Sequence, residues 1–271
     1  MKRIAVAFYG IPRSANICFP QLASKILKPI SESFELKCFY HFYHKTEVIN
    51  PRSGEKGDFP SAWYDYFADF QGSIEKPDFC LDEWNFEKIK AFGDSWGDNF
   101  QSLNNLIHQL NSLHKVTELV TSSGFAYDAV LFLRPDLFYH QGFPVSLLTK
   151  ATTCGDAVAW VPAWQWFGGL NDRFSICSKR AVTAYGKRIE SVFDYAQSHH
   201  SLHAESLLKF RLECEKVQVR PIFINASRVR INGEMRDENF SYRTCMDYDR
   251  TSIRCLSELA FFQVRSFLNI Y

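Results

Sequence analysis

The chain has 271 residues, of which 46% are hydrophobic and 16% aromatic. This length and apolar content suit a single α/β domain with a substantial core, and they exclude a disordered or fibrous protein. Thirty-one basic residues balance 30 acidic ones, which leaves a formal net charge of +1. We therefore expect no nucleic-acid partner, because binding to a phosphate backbone needs a net basic surface.

Eight cysteines are scattered along the chain, and none of them form the C-x-x-C pairs of a structural zinc site. The apolar run near the first residue is too short for a secretory signal. No stretch reaches the roughly 18 apolar residues of a membrane-spanning helix. These features predict reduced thiols, a cytoplasmic location and at most peripheral membrane association.

The chain begins with the pattern strand, helix, strand. Residues 4–9 are an apolar run that ends at a polar turn, residues 19–33 carry apolar side chains at helical spacing, and residues 34–43 alternate. A βαβ unit of this kind builds a parallel sheet.

The least regular part is residues 50–98, which we interpret as an insertion that serves as a lid or binding loop. The other elements are predicted as helices at 99–121, 179–196 and 204–213, strands at 127–133, 157–161 and 217–224, and a C-terminal helix at 256–270 with one apolar face. We predict that the whole chain, 1–271, forms one α/β domain.

The strongest chemical signal follows the strand at 127–133, which ends in Arg134-Pro135-Asp136. In open parallel sheets, ligands bind outside the carboxyl ends of the strands. Alternation along an extended chain places Arg134 and Asp136 on one side. A cation and a carboxylate in this position suit a guanidinium-held or metal-bound diphosphate. The alternative interpretation is a salt bridge at the end of the strand.

The turn after the first strand, from Gly10 to Ser14, is the next candidate. It lacks the spacing of dinucleotide-binding and P-loop motifs, yet it places Arg13 and Ser14 near the expected base, ribose or phosphate. A simple strand-to-helix turn is the alternative. Arg228 and Arg230 alternate onto one face later in the chain, where they either grip a diphosphate from the opposite side or form a solvated basic edge.

The order of these motifs resembles that of glycosyltransferases of the GT-A type, particularly bacterial and viral relatives that act on surface polysaccharides. The matching segments are the G-x-x-R turn Gly10-Ile11-Pro12-Arg13, the N-L-I-x-Q-L-x-S-L helix beginning at Asn105, the R-x-D strand end at Arg134, the turn Gly168-Gly169-Leu170-Asn171-Asp172, and a helix with an early glutamate, Glu205. The resemblance spans most of the chain. It implies a Rossmann-like, mixed and mostly parallel central sheet flanked by helices.

In that family a D-x-D motif stands where this chain has R-x-D, and its carboxylates hold a divalent ion on the sugar-nucleotide diphosphate. Here Arg134 replaces the first aspartate. The resemblance therefore implies either that Asp136 alone binds Mn²⁺ or Mg²⁺, or that Arg134 supplies part of the positive charge in place of the metal.

The resemblance also implies an acceptor side. Trp164, Trp166, Gly168 and Gly169 are expected to bind the acceptor sugar, because aromatic rings stack on sugars and glycines allow close backbone approach. The alternative is a buried aromatic cluster in which Asp172 caps a helix.

Glu205 occupies the family position of the general base that takes the proton from the acceptor hydroxyl, and Asp172 is the second choice. The alternative role for Glu205 is that of a favourable charge in the first turn of a helix.

These features predict a hexosyltransferase of polysaccharide biosynthesis, which transfers a sugar from a UDP- or GDP-sugar to a glycan or glycolipid acceptor. Two other functions stay open. The turn Pro12-Arg13-Ser14 is loosely similar to the phosphosulfate loop of PAPS-dependent sulfotransferases, and the incomplete D-x-D motif is consistent with a non-catalytic nucleotide- or carbohydrate-binding protein.

Overall fold

The computed structural model describes residues 1–199 and 201–241. Its strands are β1 (Arg3–Gly10), β2 (Glu35–Tyr43), β3 (Glu47–Asn50), β4 (Glu55–Asp58), β5 (Gln71–Glu75), β6 (Ala129–Leu133), β7 (Leu137–Tyr139), β8 (Val158–Pro162), β9 (Phe174–Ser178), β10 (Gln218–Ile222) and β11 (Ala226–Arg228). Within the described residues, seven of these strands form a central sheet of order β10-β8-β9-β6-β1-β2-β5. Its neighbours are parallel except at β9, which runs antiparallel to β6 and β8. The predicted mixed, mostly parallel α/β sheet is confirmed.

Helices flank this sheet. They are α1 (Ala15–Leu22), α2 (Lys28–Ser33), α3 (Cys80–Glu83), α4 (Phe86–Lys90), α5 (Gln101–Ser122), α6 (Val145–Thr153), α7 (Val182–Gly186), α8 (Val192–His199) and α9 (Ala204–Cys214). Two apolar clusters lie on opposite faces of the sheet because alternate residues of β1 point to opposite sides: Ile4, Val6 and Phe8 join one cluster, and Ala5, Ala7 and Tyr9 join the other.

The longest helix, α5, covers one face of the central strands. It packs against β1 and β2 and buries a row of side chains at helical spacing, including Leu106, Leu110 and Leu113. The spacing of apolar residues predicts this helix almost to its ends, and β6 is fully buried as its apolar run predicts.

Two predicted helices differ in detail. The helix predicted at 19–33 begins earlier, at Ala15, and consists of α1, one wide turn at Ala23–Leu27 and α2. The helix predicted at 179–196 is broken into α7 and α8 by a 3₁₀ turn at Arg188–Ser191. Gly186 ends α7, and a side chain at that position would collide with Thr117 of α5, so the close packing of the two helices requires glycine there.

The segment 50–98 contributes both to the sheet and to its rim. β3 and β4 form a separate two-stranded hairpin, whereas β5 extends the edge of the central sheet parallel to β2. Strand β9 is a further element that the sequence pattern does not predict.

The described residues include six cysteines whose thiols are free. Cys245, Cys255 and the predicted helix at 256–270 lie outside the described residues. None of the described helices is long and apolar enough to cross a membrane.

Candidate active site

The carboxyl ends of β1 and β6 meet at one edge of the sheet because these strands are parallel neighbours. Strand β9 runs the opposite way, so the residues before its first residue lie at the same edge. The fold thereby brings Arg13, Arg134, Asp136, Asp172 and Arg173 to this edge from three separate parts of the chain. This is the position at which open α/β sheets bind ligands.

Asp136 lies at the centre of a buried ion-pair cluster, and only 2% of it is exposed. Its Oδ2 accepts hydrogen bonds from Arg13 Nη2 at 2.6 Å and Arg134 Nη2 at 2.8 Å, and its Oδ1 accepts one from Arg134 Nε at 3.0 Å. Burial acts to raise the pKa of Asp136, but the charges of Arg134 and Arg13 outweigh it and hold the pKa well below its usual range. The carboxylate is therefore ionised and saturated by guanidinium groups.

The turn after β1 supplies Arg13 to this cluster. Ser14 adopts the left-handed conformation at φ 53°, and its hydroxyl donates to the carbonyl of Arg230. Gly10 also has a positive φ of 102°, and its N–H donates to Ser112 Oγ at 2.8 Å. These contacts fix the turn so that the Arg13 side chain points inwards.

Glu55, from β4, is the second carboxylate of the cluster. It accepts from Arg13 Nη1 at 2.9 and 2.8 Å, from Arg230 Nη1 at 2.9 Å and from the N–H of Ile231 at 2.7 Å. We use the name Asp136 cluster for Arg13, Glu55, Arg134, Asp136 and Arg230. Sequence reasoning missed Glu55, because a polar loop residue gives no sign that its segment folds back over the sheet.

Arg228 lies in a second group. Its Nε donates to Glu238 Oε1 at 2.8 Å, and Arg173 Nη1 and Gln165 Nε2 donate to the same carboxylate at 3.1 and 2.9 Å. We call these four residues the Glu238 cluster. Arg228 and Arg230, predicted to act as a pair, thus contact different carboxylates. Burial acts to raise the pKa of Glu238, but hydrogen bonds from Arg228 and the charge of Arg173 outweigh it and lower the pKa to about 2.

A chain of hydrogen bonds leads from the Asp136 cluster to Asp172. Arg134 Nη1 donates to Gln109 Oε1 at 2.9 Å, and Gln109 Nε2 donates to Asp172 Oδ2 at 3.0 Å. Asp172 Oδ2 also lies 3.4 Å from Nη2 of the buried Arg188. Gln109 stands in the N-L-I-x-Q motif that carries the resemblance, but its spacing alone did not indicate a role.

The aromatic loop before Asp172 turns both of its indole rings inwards. Trp164 is 0% exposed and donates its Nε1–H to the carbonyl of Ile224, and Trp166 is 3% exposed and donates to Pro162. Neither ring face is open to a sugar in this structure, as in the buried-cluster alternative, but Asp172 precedes strand β9 instead of capping a helix. The exposed ring of the loop is Phe167, at 57%. Acceptor binding by this loop stays a prediction.

Gly168 and Gly169 complete the loop, and their environments differ. Gly168 has φ 80° and open space around its Cα, whereas a Cβ on Gly169 would collide with the backbone of Glu205 and Ser206. The N–H of Leu170 also donates to the Glu205 carbonyl at 2.9 Å. The loop is therefore seated directly on the first turn of α9, which holds Glu205 near Asp172.

Glu205 differs from Asp136 and Glu238 at this edge because its pKa is raised rather than lowered. Burial, followed by the negative charge of Asp172, raises its pKa to about 7. Its Oε2 lies 3.2 Å from His203 Nδ1, and burial lowers the pKa of that imidazole. The side chain is 16% exposed, so it is open to solvent or substrate. A carboxyl group near neutrality suits general acid–base catalysis.

The residues at this edge do not fit a divalent cation. Asp136 is the predicted metal ligand, but both of its carboxylate oxygens accept hydrogen bonds from Arg13 and Arg134. Across residues 1–199 and 201–241, no three His, Cys, Asp or Glu side chains are grouped as a metal site would need. The positive charge at this edge is supplied by guanidinium groups.

Comparison with known proteins gives similarity at the level of structure. No protein-family model and no curated protein match the chain. Mouse xyloside xylosyltransferase 1 is similar over 82% of this chain and 85% of its own, at 10% identity and a TM-score of 0.41. The glycosyltransferase GlyE of Streptococcus pneumoniae TIGR4 is similar over 82% of this chain, at 14% identity and a TM-score of 0.37, and the chain spans 45% of that protein.

A third similar structure is a putative nucleotide-diphospho-sugar transferase from Desulfovibrio desulfuricans G20. It covers 82% of this chain and 80% of its own, at 10% identity and a TM-score of 0.36. All three are described as sugar transferases.

Proposed function

We propose that this chain is a glycosyltransferase of the hexosyltransferase type, which transfers a sugar from a UDP- or GDP-sugar to a glycan or glycolipid acceptor. The observation that carries the proposal is the position of Glu205. A carboxyl group with a pKa raised to about 7 lies beside Asp172, which Gln109 joins to the guanidinium of Arg134. A proton acceptor and a cationic group therefore share one edge of the sheet.

This pairing matches the two demands of sugar transfer. The acceptor hydroxyl must lose its proton as it attacks, and a carboxylate titrating near neutrality can take it. The departing nucleoside diphosphate gains negative charge, which fixed guanidinium groups stabilise without a reorganisation cost. In this proposal Glu205 is the base and the guanidinium of Arg134 faces the diphosphate. Asp136 orients that guanidinium.

The charge balance of the edge supports an anionic ligand. Among the described residues, the arginine–carboxylate ion pairs at this edge involve six arginines and four carboxylates: Arg13, Arg134, Arg173, Arg188, Arg228, Arg230, Glu55, Asp136, Asp172 and Glu238. Glu205 adds a fifth carboxyl group beside His203. Largely buried cations in excess of their partners are costly, and a ligand that carries phosphate groups compensates them.

The test is a thermal-shift panel of UDP, GDP, CDP and adenosine bisphosphate, each with and without Mn²⁺, followed by sugar donors of the nucleotide that binds. A ligand that binds only the folded state at 100 times its Kd adds about 2.7 kcal/mol to the free energy of unfolding. We expect UDP or GDP to raise the Tm and the matching sugar donor to be consumed. Stabilisation by adenosine bisphosphate alone contradicts the proposal and indicates a sulfotransferase.

One observation favours a second candidate, a nucleotide- or carbohydrate-binding protein without catalysis. Asp136 is engaged by two arginines and does not fit a metal ligand. Under this alternative, a nucleoside diphosphate stabilises the protein, and no sugar donor is consumed with any acceptor or with water.

A further inference from the structure

Glu55 reaches the Asp136 cluster from the β3–β4 hairpin rather than from the sheet. Its side chain is only 2% exposed. The donors that converge on it are Arg13, Arg230 and the backbone N–H of Ile231, at 2.7 to 2.9 Å. A carboxylate of the insertion is therefore held by side chains and backbone of the main body.

Two guanidinium groups and one backbone N–H form a donor set for a phosphate group as much as for a carboxylate. Arginine binds both anions through the same parallel N–H donors, and a free backbone N–H adds a fixed partial charge. The carboxylate of Glu55, which is part of the chain, thus occupies a site that could bind an external anion.

The exchange of this anion does not require Arg13 to leave Asp136. Arg13 contacts Glu55 through Nη1 and Asp136 through Nη2, so loss of Glu55 leaves the Asp136 contact in place. Among the described residues, the hairpin that carries Glu55 is a two-stranded sheet of its own, formed by β3 and β4. Val48 of β3 packs on the core and Gly57 of β4 lies against Ile231, so movement of the hairpin also breaks these two apolar contacts.

Space for a larger anion lies next to Glu55. A cavity of about 340 Å³ is lined by three cations and three carboxylates, which are Lys56, Arg230, Arg236, Glu55, Glu234 and Asp237. Lys56 and Arg236 are exposed there and add cations beside the donors that now hold Glu55, while Glu234 and Asp237 balance their charge. The cavity opens directly onto the occupied anion site.

We propose that Glu55 is a built-in competitor of phosphate groups: a ligand that carries a diphosphate displaces Glu55 from Arg13, Arg230 and the Ile231 N–H, and the β3–β4 hairpin moves out with it. The identity of that ligand as the nucleotide of a sugar donor rests on the proposed function. The competition itself concerns only the phosphate groups.

The test compares Glu55→Gln with Glu47→Gln, using inorganic pyrophosphate as the probe in calorimetric titrations. Glu47 is exposed on the same hairpin, opposite Asp58, so its substitution removes the same charge without touching the anion site. Removal of the competing carboxylate should tighten pyrophosphate binding by about tenfold or more relative to the wild-type chain, which corresponds to about 1.4 kcal/mol. Glu47→Gln should bind as wild type does. Equal or weaker binding by Glu55→Gln overturns the proposal.

A second measurement covers the case in which Glu55→Gln does not fold. Backbone amides of residues 47–58 in the wild-type chain should exchange with deuterium faster when pyrophosphate is bound, because the hairpin leaves the body. Unchanged or slower exchange overturns the proposal.

The two proposals fail separately. If UDP or GDP donors are consumed but Glu55→Gln binds pyrophosphate as wild type does, only the competition is wrong. If pyrophosphate binding tightens as expected but no sugar donor is consumed, the phosphate site stands and sugar transfer is wrong.

Discussion

Asp136 and Glu205 are two carboxylic acids at the same edge of the sheet, and their surroundings shift their pKa values in opposite directions. Asp136 is enclosed by two guanidinium groups, which hold its pKa well below the usual range despite burial. Glu205 is partly buried, but its strongest charged neighbour is the carboxylate of Asp172, and its pKa rises to about 7. Burial raises the pKa of both groups, so the sign of the nearest charge decides the outcome.

This difference separates two tasks. A carboxylate that stays ionised across the physiological range carries no protons, but it can hold arginines in place. A carboxyl group that titrates near neutrality can accept and return a proton. Substitution of each residue and a change of pH should therefore affect turnover and stability differently.

Replacement of Glu205 by Gln should lower kcat by about 10²- to 10⁴-fold, the usual contribution of a general base. The Kd of the nucleoside diphosphate should stay within about twofold of the wild-type value. The reason is that, in this proposal, Glu205 is not hydrogen-bonded to the arginines of the Asp136 cluster or the Glu238 cluster. Turnover and titration calorimetry measure the two quantities, with Glu213→Gln on the same helix as the control. Equal losses in binding and turnover would instead assign Glu205 a structural role.

Replacement of Asp136 by Asn should lower the free energy of unfolding by about 3–5 kcal/mol, since it leaves the charges of Arg13 and Arg134 buried without their carboxylate. Urea denaturation measures this loss. Asp65→Asn, at an exposed position, should change stability by less than about 0.5 kcal/mol. An Asp136→Asn protein with normal stability and no turnover would contradict the structural role of Asp136, because Asp136 would then act on the ligand directly as Glu205 is proposed to do.

The pH dependence of stability should have opposite signs for Glu238 and Glu205. The pKa of Glu238 falls from 4.5 to about 2 on folding, so its stabilising contribution is present above pH 4.5 and is lost as the pH falls towards 2. The pKa of Glu205 rises from 4.5 to about 7, so the free energy of unfolding should decline as the pH rises through this interval.

Urea denaturation of the wild type, Glu238→Gln and Glu205→Gln between pH 3 and 8 measures both slopes. Glu238→Gln should lose only the fall in stability below pH 4.5, and Glu205→Gln should lose only the decline in stability between pH 4.5 and 7. The turnover rate of the wild type should rise about tenfold per pH unit as the pH increases towards 7. A Glu205→Gln protein that keeps the decline between pH 4.5 and 7 would show that another group titrates there.

The smallest effect is expected at Phe167. Its ring is 57% exposed, so Phe167→Ala should change the free energy of unfolding by less than about 0.5 kcal/mol. If the ring stacks on the acceptor sugar, the KM for the acceptor should rise by about tenfold while kcat is kept. An unchanged KM would place the acceptor elsewhere than on this loop.

The sequence predicts those parts of the molecule that are set by local periodicity. The apolar run of β1 and the helical spacing of apolar residues in α5 follow from the side chains that the core must bury. The approach of Arg13 to Asp136 follows in outline, because both stand at the carboxyl ends of strands in a parallel sheet. Strand β9 was missed, since five residues after an irregular loop give a weak signal.

The partners of the arginines could not be predicted in the same way. Glu55 is 42 residues from Arg13, and Glu238 is 65 residues from Arg173, so each contact depends on how a whole segment folds back. The orientation of Trp164 and Trp166 was also not evident. A tryptophan in a loop can point either way, and here each N–H finds a backbone carbonyl inside.

Gly169 couples the position of the aromatic loop around Trp164 and Trp166 to the position of helix α9. Its Cα lies so close to the backbone at Glu205 that no other amino acid can replace it without parting the two segments. A saturation library at position 169 should therefore return glycine in the functional clones. If an acceptor binds to this loop, as the sequence predicts, we expect its contact to be passed on to the first turn of α9, where the loop packs on the backbone of Glu205.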